Sequence, residues 1–448
     1  MNERYKTQSE MNKSKQLEFQ FDTDLFTGII AFGTLKAAFK RVKRNKGAPG
    51  VDGITIEKYE ENLEENLIQL RTEVKNWTYK PTPVKRVEIA KPGGNGVRLL
   101  GIPIVKDRIL HMAIKMVLEP ILDPLFSPNS FGFRPGKNQQ QAVQQAQKIV
   151  QSGKEYVVDI DLSKFFDRIN HDRLIYRLKQ HIEDPRILKL IGMILRGGIM
   201  IDGIKTPSEE GSVQGSPLSP LLSNVVLDEL DKELEKRGLE FCRFADDCNI
   251  FTRSLKGAER IMSSIKKFIE NKLKLKVNEE KSKTRKSNEV KFLGMTIIDG
   301  TIAIAKATIK KAMDKVKELI PRGSHLTIEK TMQEINKWYR GWASYFKMTQ
   351  YPAQLKGIEA HVRRRLRARI VGQQKKRRNL VSKLVKRGIN KKKAAKTVYS
   401  NRNTWNLSHT PVLDRAYPIK WFIQTGQIIM SHLKMGHWFE IEKWVKLA

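Results

Sequence analysis

Acidic residues interrupt two stretches whose neighbours read as buried strand. In EYVVDIDLSKFFDRINHDRL (155–174) side chains alternate, so Val157, Asp159 and Asp161 share one face while Val158, Ile160 and Leu162 share the other. In EFCRFADDCNIFTRS (240–254) the runs FCRF and CNIF read as two strands that meet at Ala245-Asp246-Asp247 in a tight turn. Carboxylates buried without compensation are costly, so such a cluster shifts its pKa or binds cations. Three acids on neighbouring strands suit Mg²⁺, a hard ion that takes carboxylate, water and phosphate oxygens. For nucleotidyl transfer one such ion activates a 3′-hydroxyl, and a second about 3.5–4 Å away holds the triphosphate. An Asp-Asp pair alone is ordinary turn chemistry. Its weight here comes from the company it keeps.

The elements that must carry these acids are mixed. Apolar spacing is helical over 25–46, GAPGVDG at 47–53 is a turn-rich loop, and a second helix is predicted over 56–75. Residues 77–104 change to short β-like runs about a KPGGNG turn, which predicts a strand pair over something approached closely. Helical spacing returns over 106–122 and 138–150. No repeat of fixed period is visible.

Charge points to the partner. The 448 residues hold 84 Lys or Arg against 48 Asp or Glu, a net +36 that opposes compaction unless a polyanion neutralises it. Residues 301–448 alone carry 33 basic residues against 8 acidic. At 40% hydrophobic and 8% aromatic the chain is not disordered as a whole. Two cysteines, Cys242 and Cys248, exclude a disulfide framework and a four-Cys zinc knuckle. The apolar run 191–201 is broken by Arg196 and too short to span a bilayer, and the polar N-terminus lacks a signal peptide's apolar core. A cytoplasmic protein that binds RNA or DNA, with no membrane partner, is the expectation.

The order of motifs resembles the reverse transcriptases encoded by bacterial group II introns, which also act as splicing maturases. GAPGVDG, YKPTPVKRVEIAKPGG, VRLLGIP, KDRIL, NSFGFRPGK, DIDLSKFFDRINH, GSVQGSPLSPLLSN, FADD, NEEKSKT, FLG and NKWYRGWASYF follow one another as in that family, over about residues 25–421. The resemblance implies an α+β right-hand polymerase. Its expected parts are a polar N-terminus (1–24), fingers and palm with an antiparallel sheet (25–300), an α-helical maturase or thumb domain (301–372) and a small basic DNA-binding region (373–448).

Carried over position by position, the resemblance makes Asp161 the first metal ligand, because Phe166 stands five places on, where the family's aromatic gate excludes a 2′-hydroxyl. Asp159 lacks that spacing and is read as structural or as a support behind the metal ligands. Asp246 and Asp247 resemble the paired acids of the Tyr-Ala-Asp-Asp box, with Phe244 replacing the tyrosine, and Leu162 joins Asp161, Asp246 and Asp247 in the expected metal set. Lys91 and Arg98 fit the fingers' cations on the incoming deoxynucleoside triphosphate. Gln214 and Gly215 fit the block that packs on the nascent base pair, and Lys281 a lysine near the phosphates. The implied cofactor is Mg²⁺, two ions, with Mn²⁺ able to substitute.

For the nucleic-acid backbone the expected contacts are Arg340, Arg363, Arg364, Arg365, Arg367 and Arg369, followed by Lys375, Lys376, Arg377 and Arg378. Most aromatics of NKWYRGWASYF are read as core. Implied partners are group II intron RNA, an RNA template with its DNA primer, and target DNA. Many relatives continue into a His-Asn-His nuclease with paired cysteines, so no DNA cleavage is expected of this chain. The implied function is RNA-directed DNA synthesis with intron splicing and retrohoming. Two alternatives stay open: a domesticated relative in repair or phage defence, and a maturase whose polymerase site is vestigial.

Overall fold

The structure, a computed structural model, describes residues 24–90, 97–201, 204–206, 210–211, 215–321, 326–374, 376–401 and 403–427. Ten strands are present among them: β1 (Val84–Ala90), β2 (Val97–Ile102), β3 (Tyr156–Ile160), β4 (Ile199–Ile201), β5 (Ile204–Thr206), β6 (Glu240–Phe244), β7 (Asp247–Thr252), β8 (Lys283–Lys286), β9 (Met295–Ile298) and β10 (Thr301–Ile304). They form sheets ordered β2-β1-β4-β5 and β6-β7-β3-β8, and the hairpin β9-β10. The chain divides into two compact units. One takes in the described residues up to Lys137 with Ile160–Cys248 and Arg260–Lys283, and the other Asn138–Asp159, Asn249–Glu259 and the residues from Thr284 onward.

In the first unit, the predicted helix over 25–46 is two helices, Leu25–Ile30 and Phe32–Arg44, separated by Ala31 at ψ 136°. The break re-aims the second helix so that Leu35, Ala38, Phe39 and Val42 are buried, while Phe26, Ile29 and Ile30 are buried from the first. The helix expected over 56–75 is likewise Ile56–Glu61 and Leu63–Lys75, interrupted at Asn62, a weak helix former. The strand pair expected over 77–104 is β1 and β2, antiparallel, with Val87 opposite Leu100 and Ile89 opposite Arg98. Helix Val105–Leu122 is buried on most sides, which is why its sequence is apolar almost throughout.

In the second unit, helix Gln139–Gln151 begins with a capping box in which Asn138 and Gln141 satisfy each other's backbone N–H groups. Helices Lys306–Leu319, Ile328–Phe346 and Pro352–Gly372 share an apolar core with Arg377–Val385, Lys391–Ser400 and the short helices to Gln424. Tyr339 and Phe346 are buried, and Trp338 and Trp342 pack against this core, as the helical spacing of the aromatics implied. Among the described residues no helix is long and apolar enough to cross a membrane.

Asp107, on the Val105–Leu122 helix, accepts hydrogen bonds from the Tyr79 hydroxyl (2.8 Å) and the Thr82 N–H (3.0 Å), fixing the chain that leads into β1. Burial pushes its carboxyl up to about 6, against those hydrogen bonds. The folded state therefore holds a proton that the unfolded chain releases near pH 4, and the stability this gives is lost as pH rises through 6. Denaturant titrations should show wild type losing up to about 3 kcal/mol relative to Asp107→Asn between pH 4 and 6. A pH-independent difference between the two proteins would contradict this.

Candidate active site

Asp246 and Asp247 sit where the sequence places them. β6 and β7 are joined by the two-residue turn Ala245-Asp246, and Asp247 is the first residue of β7. Ala245 takes φ +57°, a conformation that costs energy for a residue with a Cβ and persists only where its surroundings impose it. Those surroundings are specific. The segment Asn129–Phe131 runs beside β6, with Arg243 N–H donating to Asn129 O (2.9 Å) and Phe131 N–H to Arg243 O (2.8 Å). Gly132 then lies so close to the turn that a Cβ there would collide with the backbone nitrogen of Ala245.

Beneath the turn Arg243 is fully buried and spends all five of its N–H donors. Two go to Asp231 (2.7 and 2.6 Å), one to Asn224 Oδ1 (3.1 Å), one to Ser130 Oγ (2.8 Å) and one to the carbonyl of Ala245 (2.8 Å). Asn224 in turn donates to Gly132 O (2.9 Å). Burial opposes the guanidinium's charge, but the Asp231 carboxylate outweighs it and holds Arg243 protonated. The guanidinium thus ties the catalytic-turn candidate to both of its supports. Sequence reasoning missed this group; the available signal was an arginine set among Phe241, Cys242 and Phe244.

Asp161 lies one residue past β3, the strand hydrogen-bonded to β7. The loop after Val277 holds it: Asn278 N–H donates to Asp161 O (2.8 Å), Asp161 N–H to Ser282 Oγ (3.0 Å), and Lys281 Nζ stands 3.5 Å from both carboxylate oxygens. The pair is open to solvent, with Lys281 62% and Asp161 41% exposed in their side chains, so the ion pair itself is weak. Ser163 N–H donates to Lys276 O, so Leu162, between the two bonded residues, turns its carbonyl away from that loop.

Among the described residues no three His, Cys, Asp or Glu side chains stand close enough together to hold a metal ion. Like charges repel, and the counter-charge beside Asp161 is the Lys281 ammonium. The donors are nevertheless the hard oxygens that a divalent ion takes.

Around these acids glycines set the approach distances. Lys164, in the left-handed region, starts the turn Phe165–Arg168, in which Phe165 is buried and Phe166 half-buried with its ring edge-on at 5.1 Å. Gly211, at φ +95°, packs on the backbone of Asp167 in that turn. Gly215, at φ +120°, packs on Gly101 O of β2, where a Cβ would collide with that oxygen. The two ends of the GSVQG loop are therefore pinned, and His111 Nδ1 meets Ser216 Oγ at 2.9 Å just beyond, with burial pushing the imidazole down to about 3 and so keeping it neutral. Lys91 and Gln214 lie outside the described residues, as does the side chain of Arg98.

The basic residues separate into two sets. Arg340, Arg364, Lys376, Arg377 and Arg378 are exposed, while Lys375 lies outside the described residues. Arg363, Arg367 and Arg369 are buried, which corrects their reading as phosphate contacts. They share the inner face of helix Pro352–Gly372 with Val362, Leu366 and Ile370. Arg367 donates to Tyr417 O (2.7 Å) and pairs with Asp414 (2.5 Å), and Arg369 reaches Thr331 Oγ1 and Leu326 O. Burial lowers the pKa of all three. Arg365 is half-buried and donates to Ile320 O (2.6 Å).

The Arg243–Asp231 pair makes a clear prediction. Arg243→Met should cost about 3–5 kcal/mol by leaving the Asp231 carboxyl buried without its partner, and adding Asp231→Leu should recover most of it in chemical denaturation. A double variant no more stable than the single one would show that the pair does not behave as one unit.

Comparison with known proteins follows the same blocks. Residues 89–297 match the reverse transcriptase (RNA-dependent DNA polymerase) family, and residues 309–388 the group II intron maturase-specific domain. Protein YkfC of Escherichia coli is 31% identical over 57% of this chain and 77% of its own length. The group II intron-encoded protein LtrA of Lactococcus lactis is 29% identical over 66% of this chain and 61% of its own length. With its acids, its α+β architecture and its basic helices arranged as described, the chain belongs to the family of group II intron reverse transcriptases and maturases, RNA-directed DNA polymerases that also serve intron splicing.

Proposed function

We propose that this chain copies RNA into DNA at Asp161, Asp246 and Asp247, and that its exposed basic residues bind a group II intron RNA, assisting its splicing and copying it during retrohoming in the cytoplasm of a bacterium. The observation that carries this reading is the placement of Asp161 just past β3 and of Asp246-Asp247 at the start of β7, neighbouring strands of one sheet inside the segment matched as reverse transcriptase. Template RNA, DNA primer, deoxynucleoside triphosphate and target DNA are the proposed ligands.

The reaction joins a primer 3′-oxygen to the α-phosphorus of the triphosphate and releases pyrophosphate. Reverse transcriptases use divalent metal ions, and here the assignment is two Mg²⁺, with Mn²⁺ as substitute, held by Asp161, Asp246, Asp247 and the Leu162 carbonyl. Such ions, when bound, lower the pKa of the hydroxyl and neutralise the triphosphate. The chain's own residues do the rest. Lys281 brings an ammonium to Asp161, where triphosphate oxygens would gather, and Lys91 and Arg98 are the further cations assigned to those phosphates. The half-buried Phe166 ring underlies the sugar and leaves no room for a 2′-hydroxyl. Gln214 and Gly215 border the new base pair, on a loop whose ends are fixed by Asp167 and Gly101.

Primer extension on an RNA template tests this. Asp247→Ala should slow synthesis by about 100-fold or more, the scale of losing one preorganised electrostatic group, and Phe166→Ala should raise ribonucleotide use. Extension unchanged in Asp247→Ala would refute the assignment. On the binding side, the logarithm of RNA affinity should fall linearly with log salt. Replacing Lys376, Arg377 and Arg378 with Ala should reduce that slope by about 2, near 0.7 for each phosphate no longer neutralised. An unaltered slope would remove this surface from the interface.

A further inference from the structure

Phe133 is an anomaly beside the catalytic turn. It belongs to the NSFGFRPGK block, yet the residue is 46% exposed and its backbone sits at φ +59°. A bulky residue in the left-handed region is a genuine outlier that persists only when its neighbours enforce it. Both neighbours do. Gly132 on one side is locked by Asn224 and by its close approach to Ala245. On the other, Arg134 binds Asp123 (2.7 Å), Asp123 O (2.8 Å), Ser127 O (2.6 Å) and Ser130 O (3.1 Å).

The direction is also fixed. Ser130 pairs with Arg243 in parallel, and Gly132 lies beside Ala245, so the chain reaches Phe133 as it passes the tip of the turn that carries Asp246 and Asp247. Burial does not explain such a ring, and the backbone would be easier for glycine. What lies beyond that tip, on the proposed polymerase reading, is the end of the strand being extended.

We propose that Phe133 is a binding residue for the growing DNA end, its ring stacking on the base of the primer's 3′-terminal nucleotide. Aromatic rings stack on any base because every base has a π-face, so the contact would hold the end without reading sequence. This inference rests on the proposed polymerase reading, and its test separates the two.

The test uses the full chain, a fluorescent DNA primer annealed to RNA, and the same duplex with an abasic 3′-terminal residue. Phe133→Ala should weaken binding of the normal duplex by about 5- to 150-fold, the range for one lost base stack. The abasic end should weaken wild type by a similar factor and leave Phe133→Ala little further to lose. Phe133→Gly should melt at the same temperature as wild type or higher, because glycine relieves the φ +59° backbone. Equal affinities of wild type and Phe133→Ala, a loss that persists undiminished on the abasic duplex, or a lower melting temperature for Phe133→Gly would each overturn the proposal. Wild type that binds these duplexes but extends neither would instead refute the polymerase reading.

Discussion

A guanidinium with no exposure to water holds the one turn that the rest of the site is arranged around. Arg243 and Asp231 are both fully buried, and removing two such charges from water costs several kcal/mol each. Attraction in a low-dielectric interior offsets that cost only with good geometry, and here every N–H of the guanidinium has an acceptor within 3.1 Å. A lysine could not do this, since a single ammonium cannot reach a carboxylate, an amide, a hydroxyl and a backbone carbonyl in one plane. The arrangement links three segments distant in sequence, at Ser130, at Asn224 and Asp231, and at Ala245. An apolar replacement could match its stability, but nothing apolar would hold the Ala245 carbonyl.

The remaining constraints are steric. Gly132 and Gly215 each bring backbone against backbone at a distance that excludes a methyl group, and Gly211 packs tightly on the backbone of Asp167. Gly132 seats the turn with Asp246. Gly211 seats the turn with Phe166, and Gly215 lies against β2, the strand that carries Arg98. The polar network fixes where the acids are, and the glycines fix how near the surrounding chain can come to them.

What the sequence made legible was local chemistry. The hairpin at Ala245-Asp246 followed from two short strands and a tight turn, and alternation put Asp159 and Asp161 on one face of a β run, because turn and alternation are properties of neighbouring residues, whereas the choice of Asp161 came from the family resemblance. The helix breaks at Ala31 and Asn62 were hidden, since each redirects an apolar face toward a core that sequence spacing alone does not define. The close approach of Gly215 to Gly101 of β2 was hidden too, since the two residues lie far apart in the chain. Arg243 was illegible for a deeper reason. Its burial depends on Asp231, Asn224 and Ser130, which lie up to 113 residues away, and no local pattern announces that their side chains converge.

The chain's positive charge divides along the same line between local pattern and distant partners. Arg363, Arg367 and Arg369 sit in a run that reads as one cationic stripe, but a helix turns 3.6 residues per turn and cannot present all of 363–369 to one side. Of the inner members, Arg367 and Arg369 cap the carbonyls of Tyr417 and Leu326, carried through the apolar core on their methylene stems. The outer member, Arg364, stays in water with Lys376, Arg377 and Arg378. Net charge therefore overstates the surface available to a polyanion, and it does so most where arginine is densest. A guanidinium that already holds a backbone carbonyl inside the core is a structural group whatever its charge, and of the described arginines and lysines expected to contact nucleic acid only Arg340, Arg364 and the 376–378 run stand exposed to solvent.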